Sequence, residues 1–219
     1  YGTVSLAIGG YLAATAFLQL AIGPLSDRYG RRPVLLGALV VFAAGSAGCA
    51  VAEDIHVFLA FRVLQGTAIA GWVIALAMIR DTASEREAAG RIGYVSMAMA
   101  IAPMLAPMVG GAVDAMFGWR ANFYIYVGLG AALLVLCMFA MPETNRQRAE
   151  TLAGQMKGYP ALLRSPAFWG YSLCGAFSTS AFYAFLSGVP FVAQATLSLP
   201  AAELGFYMGS ITGGFFFGS

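Results

Sequence analysis

The chain has 219 residues, of which 60% are hydrophobic and 10% charged, with a formal net charge of +2. Soluble domains carry about 25% charged residues, so this composition and a mean hydropathy of +0.77 exclude an ordinary soluble globular protein. The twelve basic and ten acidic residues nearly balance, and no nucleic-acid partner is expected.

Apolar runs cover 3–22, 33–52, 55–79, 91–113, 121–141, 166–189 and 204–219. Six are long enough for a helix rising about 1.5 Å per residue to cross about 30 Å of hydrocarbon. The seventh stops at Ser219, in mid-crossing. Continuous runs without a period of two predict helices rather than a barrel. The fold class expected is therefore an all-α integral membrane bundle, about six full transmembrane helices plus a truncated seventh. Tyr1 enters the membrane at once, with neither an initiator Met nor a signal-peptide n-region. A fragment is expected, lacking one helix before residue 1 and everything after the seventh run.

The basic residues orient the bundle. Arg28, Arg31 and Arg32 lie in the first connection, Arg80, Arg86 and Arg91 in the third, and Arg146, Arg148, Lys157 and Arg164 in the fifth. The second and sixth connections have none and the fourth has Arg120 alone, so the odd connections are expected on the cytoplasmic side. His56 falls at the outer end of a span and reads as an interfacial residue rather than a proton carrier. Cys49, Cys137 and Cys174 all lie in apolar runs; they read as small core residues, and no disulfide is expected. The long polar stretch 142–165 divides five spans from two. The domains expected are an N-terminal bundle over 1–141, a cytoplasmic linker over 142–165 and the start of a C-terminal bundle over 166–219. Ser165-Pro166 reads as a helix start, with Ser at the cap and Pro in the first turn. The many Gly and Ala within the spans suit close helix packing in lipid.

Three constellations stand out. The first is Gly23-Pro-Leu-Ser-Asp27-Arg28-Tyr-Gly30-Arg31-Arg32, read as a polar loop in which Gly and Pro end a helix and Asp27 sits near a helix N-terminus. The second is Arg62-x-x-Gln65-Gly66, about two turns into the third run, where a charge at membrane depth costs roughly 2.5–3.5 kcal/mol and calls for a wet cavity or a partner. The third is Gly93, Ala102, Ala106, Pro107, Gly110 and Gly111 in the fourth run, which together with Pro103 can kink and pack closely.

These motifs resemble those of major facilitator superfamily transporters. The first matches the superfamily's principal signature between helices two and three. The second matches its helix-four motif. The third matches the antiporter signature Gly-x8-Gly-x3-Gly-Pro-x2-Gly-Gly, with Ala at its second and third Gly. Phe-Gly-Trp-Arg at 117–120, Pro-Glu-Thr at 142–144 and Ser-Gly-Val-Pro-Phe-Val at 187–192 resemble pieces of the Bcr/CflA-type drug exporters. The resemblance covers essentially the whole chain, as family helices two to eight.

The resemblance implies a bundle that works by alternating access in a bacterial inner membrane, multi-pass and monomeric. It implies a cytoplasmic gate of Asp27, Arg31 and Asp81, the last from the end of helix four. Arg62 would tune a carboxylate that carries the proton, expected in the absent first helix because no Asp or Glu lies centrally in a visible span. Tyr94, Met97, Met99, Phe182, Tyr183 and Phe185 are candidates for a cavity that takes small hydrophobic drugs. No cofactor is expected: no nucleotide-binding loop is present, and the proton gradient would supply the energy. The alternatives are a facilitator-type importer of sugar or a small metabolite and, more distantly, a seven-helix receptor. The one lysine, Lys157, lies in a connection, so no retinal Schiff base could form within a span. A membrane enzyme is disfavoured by a single His and no metal-ligand or Ser-His grouping.

Overall fold

The computed structural model describes residues 2–145 and 159–197, with backbone alone for 2–8 and for a few positions in its later long helices. All described secondary structure is helical, as the apolar runs predict. Helix α1 is Gly2–Tyr29 and α2 is Arg31–Val51; α3, Ile55–Gln65, passes through a 3-10 turn at Gly66–Ile69 into α4, Ala70–Thr82. Then come α5 (Glu85–Phe117), α6 (Trp119–Ala140), the short α7 (Tyr159–Leu163) and α8 (Pro166–Leu197). Three described stretches are long and apolar enough to cross a bilayer: Arg31–Val51, Ile55–Thr82 and Trp119–Ala140. The runs at 3–22, 91–113 and 166–189 are helical too, within α1, α5 and α8. The run at 204–219 and most of the polar stretch 142–165 lie outside the described residues.

The described helices fall into two compact units. One holds α1 to α4, α6 and the beginning of α5 up to Ser96; the other holds Met97–Met116 of α5 with α7 and α8.

Helix α2 is the centre of the first unit, packing most broadly on α6 and next on α3. Small residues make this possible. A Cβ at Gly48 would overlap the Phe61 ring, and one at Gly45 would lie 3.1 Å from the Gln65 nitrogen and the Phe61 carbonyl. On the other side, a Cβ at Gly130 of α6 would lie 3.1 Å from Phe42. Backbones that approach this closely gain dispersion contacts where lipid offers no hydrophobic drive between helices. Ile22, Ala70 and Ile74 form a buried cluster between α1 and α4, packed by Leu18, Val34 and Leu35.

The helix ends follow capping chemistry. Asp54 caps α3, its Oδ1 accepting from the His56 and Val57 nitrogens at 2.8 and 3.2 Å. The Val57 and His56 amides hold its carboxyl below the usual Asp range. At the start of α5, Ser84 donates through its backbone N and its Oγ to Glu87 Oε2, at 3.1 and 2.9 Å, which lowers the Glu87 carboxyl. Ser165 caps α8 as expected, accepting from the Phe168 nitrogen at 3.4 Å. All three cysteines are free: Cys49 buried, Cys137 half-buried and Cys174 exposed.

Two local expectations are corrected. Gly23 and Pro24 do not end a helix; α1 runs through both to Tyr29, and the connection to α2 shrinks to Gly30. Asp27 accordingly lies in the last turn of α1 and not near that helix's N-terminus. Proline is tolerated within membrane helices because neighbouring groups re-satisfy the freed backbone. The chain reverses at Gly30 instead, at φ 109° and ψ 151°, a region open essentially to glycine alone.

Candidate functional site

The end of α1, the start of α2 and the end of α4 meet around Arg31. Its side chain is only 11% exposed. Its Nη1 pairs with Asp27 of α1 and donates to Ser26 Oγ at 2.7 Å, while its Nε donates to Asp81 Oδ2 of α4 at 3.1 Å. A buried guanidinium is tolerable only when paired and hydrogen-bonded, and here two carboxylates and a hydroxyl meet the donors on Nη1 and Nε. The side chains of Asp27 and Asp81 are 40% and 25% exposed, so the acids keep part of their hydration. The structure therefore brings together Asp27, Arg31 and Asp81, on three helix ends. A cavity of about 390 Å³ opens beside them, lined among others by Gly23, Trp72 and Arg80.

Sequence reasoning missed four members of this cluster. Ser26 is completely buried and turns its hydroxyl to the Gly23 carbonyl at 2.9 Å while accepting from Arg31. The other three, Glu143, Thr144 and Asn145, follow α6. Glu143 accepts from the Arg31 nitrogen through Oε1 at 2.9 Å and from the Arg32 nitrogen through Oε2 at 3.2 Å. Thr144 Oγ1 donates to Asp81 Oδ2 at 3.3 Å. Asn145 Nδ2 donates to the Ser26 and Asp27 carbonyls at 3.3 and 2.7 Å. One tripeptide thus meets carbonyls in the last turn of α1 and the free amides beginning α2. The available signal was the start of α2 itself: Gly30 brings no side-chain cap, and the first turn has no acid. Arg28 takes no part in the bridge, its guanidinium lying 5.3 Å from the Tyr29 ring centre. Arg32 Nη2 donates to the Met138 carbonyl in the last turn of α6 at 2.6 Å.

The second constellation is a polar chain running from α3 to α2. Arg62 Nη1 donates to Gln65 Oε1 at 2.6 Å, Gln65 Nε2 to Ser46 Oγ at 2.8 Å, and Ser46 Oγ to the Phe42 carbonyl at 2.8 Å. The Arg62 guanidinium lies over the Tyr11 ring at 4.7 Å and 6.0 Å from the Phe123 ring centre, both within cation–π range. Together with Tyr11, Phe42, Gln65 and Tyr126 it lines a cavity of about 300 Å³. Gly66 follows at the 3-10 turn, where a Cβ would lie 3.3 Å from Thr15 Oγ1 of α1. Neither Tyr11 nor the aromatic wall is apparent from the sequence.

The third constellation lies along α5. Gly93 is exposed, with open space where a Cβ would stand; Pro107, Gly110 and Gly111 are half-buried, and the helix is unbroken across them. The substrate candidates Tyr94, Met97, Met99, Tyr183 and Phe185 are all exposed, and the side chain of Phe182 lies outside the described residues. No group of three or more His, Cys, Asp or Glu able to hold a metal occurs among the described residues.

At the opposite end of α2, Arg120 at the start of α6 donates to the Ala52 carbonyl at 3.0 Å and stacks on Trp119 at 4.3 Å. Trp119, Phe58, Phe123 and Tyr126 continue as a file of edge-on ring pairs toward Arg62.

The sequence profile of the Major Facilitator Superfamily matches residues 1–219. Over 191 residues the chain is 36% identical to a chloramphenicol resistance protein of Pseudomonas aeruginosa, covering 86% of this chain and 45% of that protein. It is 34% identical over 197 residues to the MFS-type transporter YdgK of Bacillus subtilis, covering 87% and 49%. The multidrug resistance protein MdtL of Escherichia coli is 31% identical over 200 residues, covering 90% and 51%. The chain spans about half the length of the curated relatives it matches.

Proposed function

The chain belongs to the major facilitator superfamily, and from that premise we propose that it forms the gated part of a proton-coupled exporter of hydrophobic drugs, of the Bcr/CflA type. Superfamily members are membrane transporters and not enzymes. In this reading the protein works by alternating access in a bacterial inner membrane, as a monomer, with the proton gradient as its energy source. The observation that carries it is the Arg31 bridge. One buried cation joins the end of α1 to the end of α4, through Asp27 and Asp81. Such a bridge is made when these ends are close and broken when they part, which stabilises one state and not the other.

Export of drugs, rather than uptake, is supported by the relatives named for chloramphenicol and multidrug resistance. Proton coupling is assigned to Arg62, held by Gln65 and by the Tyr11 ring beside an open cavity, where a neighbouring carboxylate could exchange its proton. Gly93, Pro107, Gly110 and Gly111 are assigned to the bend that an antiporter's fifth helix needs. Met97, Met99 and the exposed aromatics remain the proposed drug-facing residues.

The test is the accumulation of a fluorescent hydrophobic dye by cells that express the protein in full. Asp27→Asn at equal expression is expected to slow efflux about tenfold, the scale expected when a single charge-assisted hydrogen bond is removed from one of two states. A protonophore is expected to abolish wild-type efflux. Wild-type efflux from Asp27→Asn would remove the gate, and efflux indifferent to the protonophore would remove the proton.

A further inference from the structure

We propose that Glu143 is a positioning residue of the cytoplasmic gate: it clamps the first turn of α2 so that Arg31 can reach both acids. Three observations carry this. First, the two Glu143 oxygens take the backbone amides of Arg31 and Arg32, two consecutive donors at a helix start that no side chain of α2 meets. A carboxylate there is doubly favoured, by the free amides and by the positive end of the helix dipole. Second, Gly30 leaves room for it. A Cβ at that position would overlap the Glu143 carboxylate, so the glycine serves the turn and the clamp together. Third, the two following residues bind other parts of the same cluster, Thr144 at Asp81 and Asn145 at the last carbonyls of α1. Glu143 Oε1 also accepts from the Asn145 nitrogen at 2.9 Å, which ties these contacts into one unit.

The consequence is geometric. Arg31 bridges Asp27 and Asp81 only if its own backbone stands at a fixed height between α1 and α4. With Glu143 in place the backbone is fixed from α6; without it, the first turn of α2 is free to fray and the guanidinium loses its aim. The residue thereby links the end of α6 to the gate through the backbone of α2. This inference rests on the gating reading above.

The experiment measures cytoplasmic accessibility in inside-out vesicles holding the protein in full. Ala77, which lines the cavity beside Arg31, is replaced by Cys in a Cys137→Ala, Cys174→Ala background, and its labelling by an impermeant maleimide is timed against the parent without it. Glu143→Ala is expected to raise the labelling rate about tenfold, as Asp27→Asn does, and Glu143→Gln, which keeps one acceptor, to fall between Ala and wild type. A residue needed only for folding would lower the amount of protein in the membrane and leave the rate of what remains unchanged. If Glu143→Ala reduces that amount, the Gln variant, nearly isosteric, decides. Labelling at the wild-type rate in the Glu143 variants, with Asp27→Asn still fast, overturns the clamp and leaves the gate standing. Wild-type rates in all of them overturn both.

Discussion

Replacing Gln65 by Leu tests whether the Arg62 chain holds α3 to α2. Gln65 is 1% exposed; it accepts from Arg62 at 2.6 Å and donates to Ser46 at 2.8 Å. Leucine has a similar volume, so the loss is polar rather than steric. A hydrogen bond from a charged donor is worth about 1.5–3 kcal/mol, and an interhelical bond within a membrane averages about 0.6 kcal/mol. Together these give roughly 2–4 kcal/mol. At about 2–4 °C per kcal/mol for a chain of this size, the melting temperature in detergent should fall by roughly 4–16 °C. The assay is the monomer peak on size-exclusion chromatography after graded heating. Ser46→Ala should cost less, because it removes only the neutral bonds. The double variant should be milder than the sum of the two, since they share the Gln65–Ser46 contact. A Gln65→Leu protein melting within about 2 °C of wild type, or strict additivity with Ser46→Ala, refutes the reasoning.

Gly30→Ala meets two obstacles at once, a backbone at φ 109° and the Glu143 carboxylate where the methyl would go. Backbone strain of this kind costs about 1–3 kcal/mol; an unchanged melting curve for the Ala variant would show that the turn is not held as described. The depressed carboxyl of Asp54 carries a pH signature. Its folded value lies below the unfolded one, so the stabilisation is fully present above the ordinary Asp value of about 4 and is lost as pH falls through the lower, folded value. Asp54→Asn keeps an acceptor for the His56 and Val57 amides but should flatten that acid limb; an acid profile identical to wild type would dismiss the cap as its source.

The fold was legible because each span is written locally as a continuous apolar run, and every described run proved helical. The Gly23–Arg32 block was legible as a unit, and Asp81 was added as what the resemblance implies, Arg80-Asp81 standing at the end of the third apolar run. Its shape was not. Gly23 and Pro24 are breakers in water, but in a bundle the breaker rule yields to neighbours that re-satisfy the backbone, and α1 continued. Glu143 and Asn145 were hidden for another reason: they lie 112 and 118 residues from the Arg31 nitrogen and Asp27 carbonyl they meet, beyond any local period. The depth of Arg62 was readable from the cost of its charge. Its partner at i+3 was in the motif, whereas the Tyr11 ring came from another helix and left no trace in spacing.

The two ends of α2 are both held from α6: Glu143 and Arg32 tie the start of one to the end of the other, and Arg120 ties the start of α6 to the carbonyl just past α2. Signs match the dipoles at each tie, acid on amide and cation on carbonyl. Axial slippage of this pair by one turn, about 5.4 Å, would forfeit every one of those ties together, while a common tilt forfeits none. Whatever else rearranges, α2 and α6 are built to lean as a single strut.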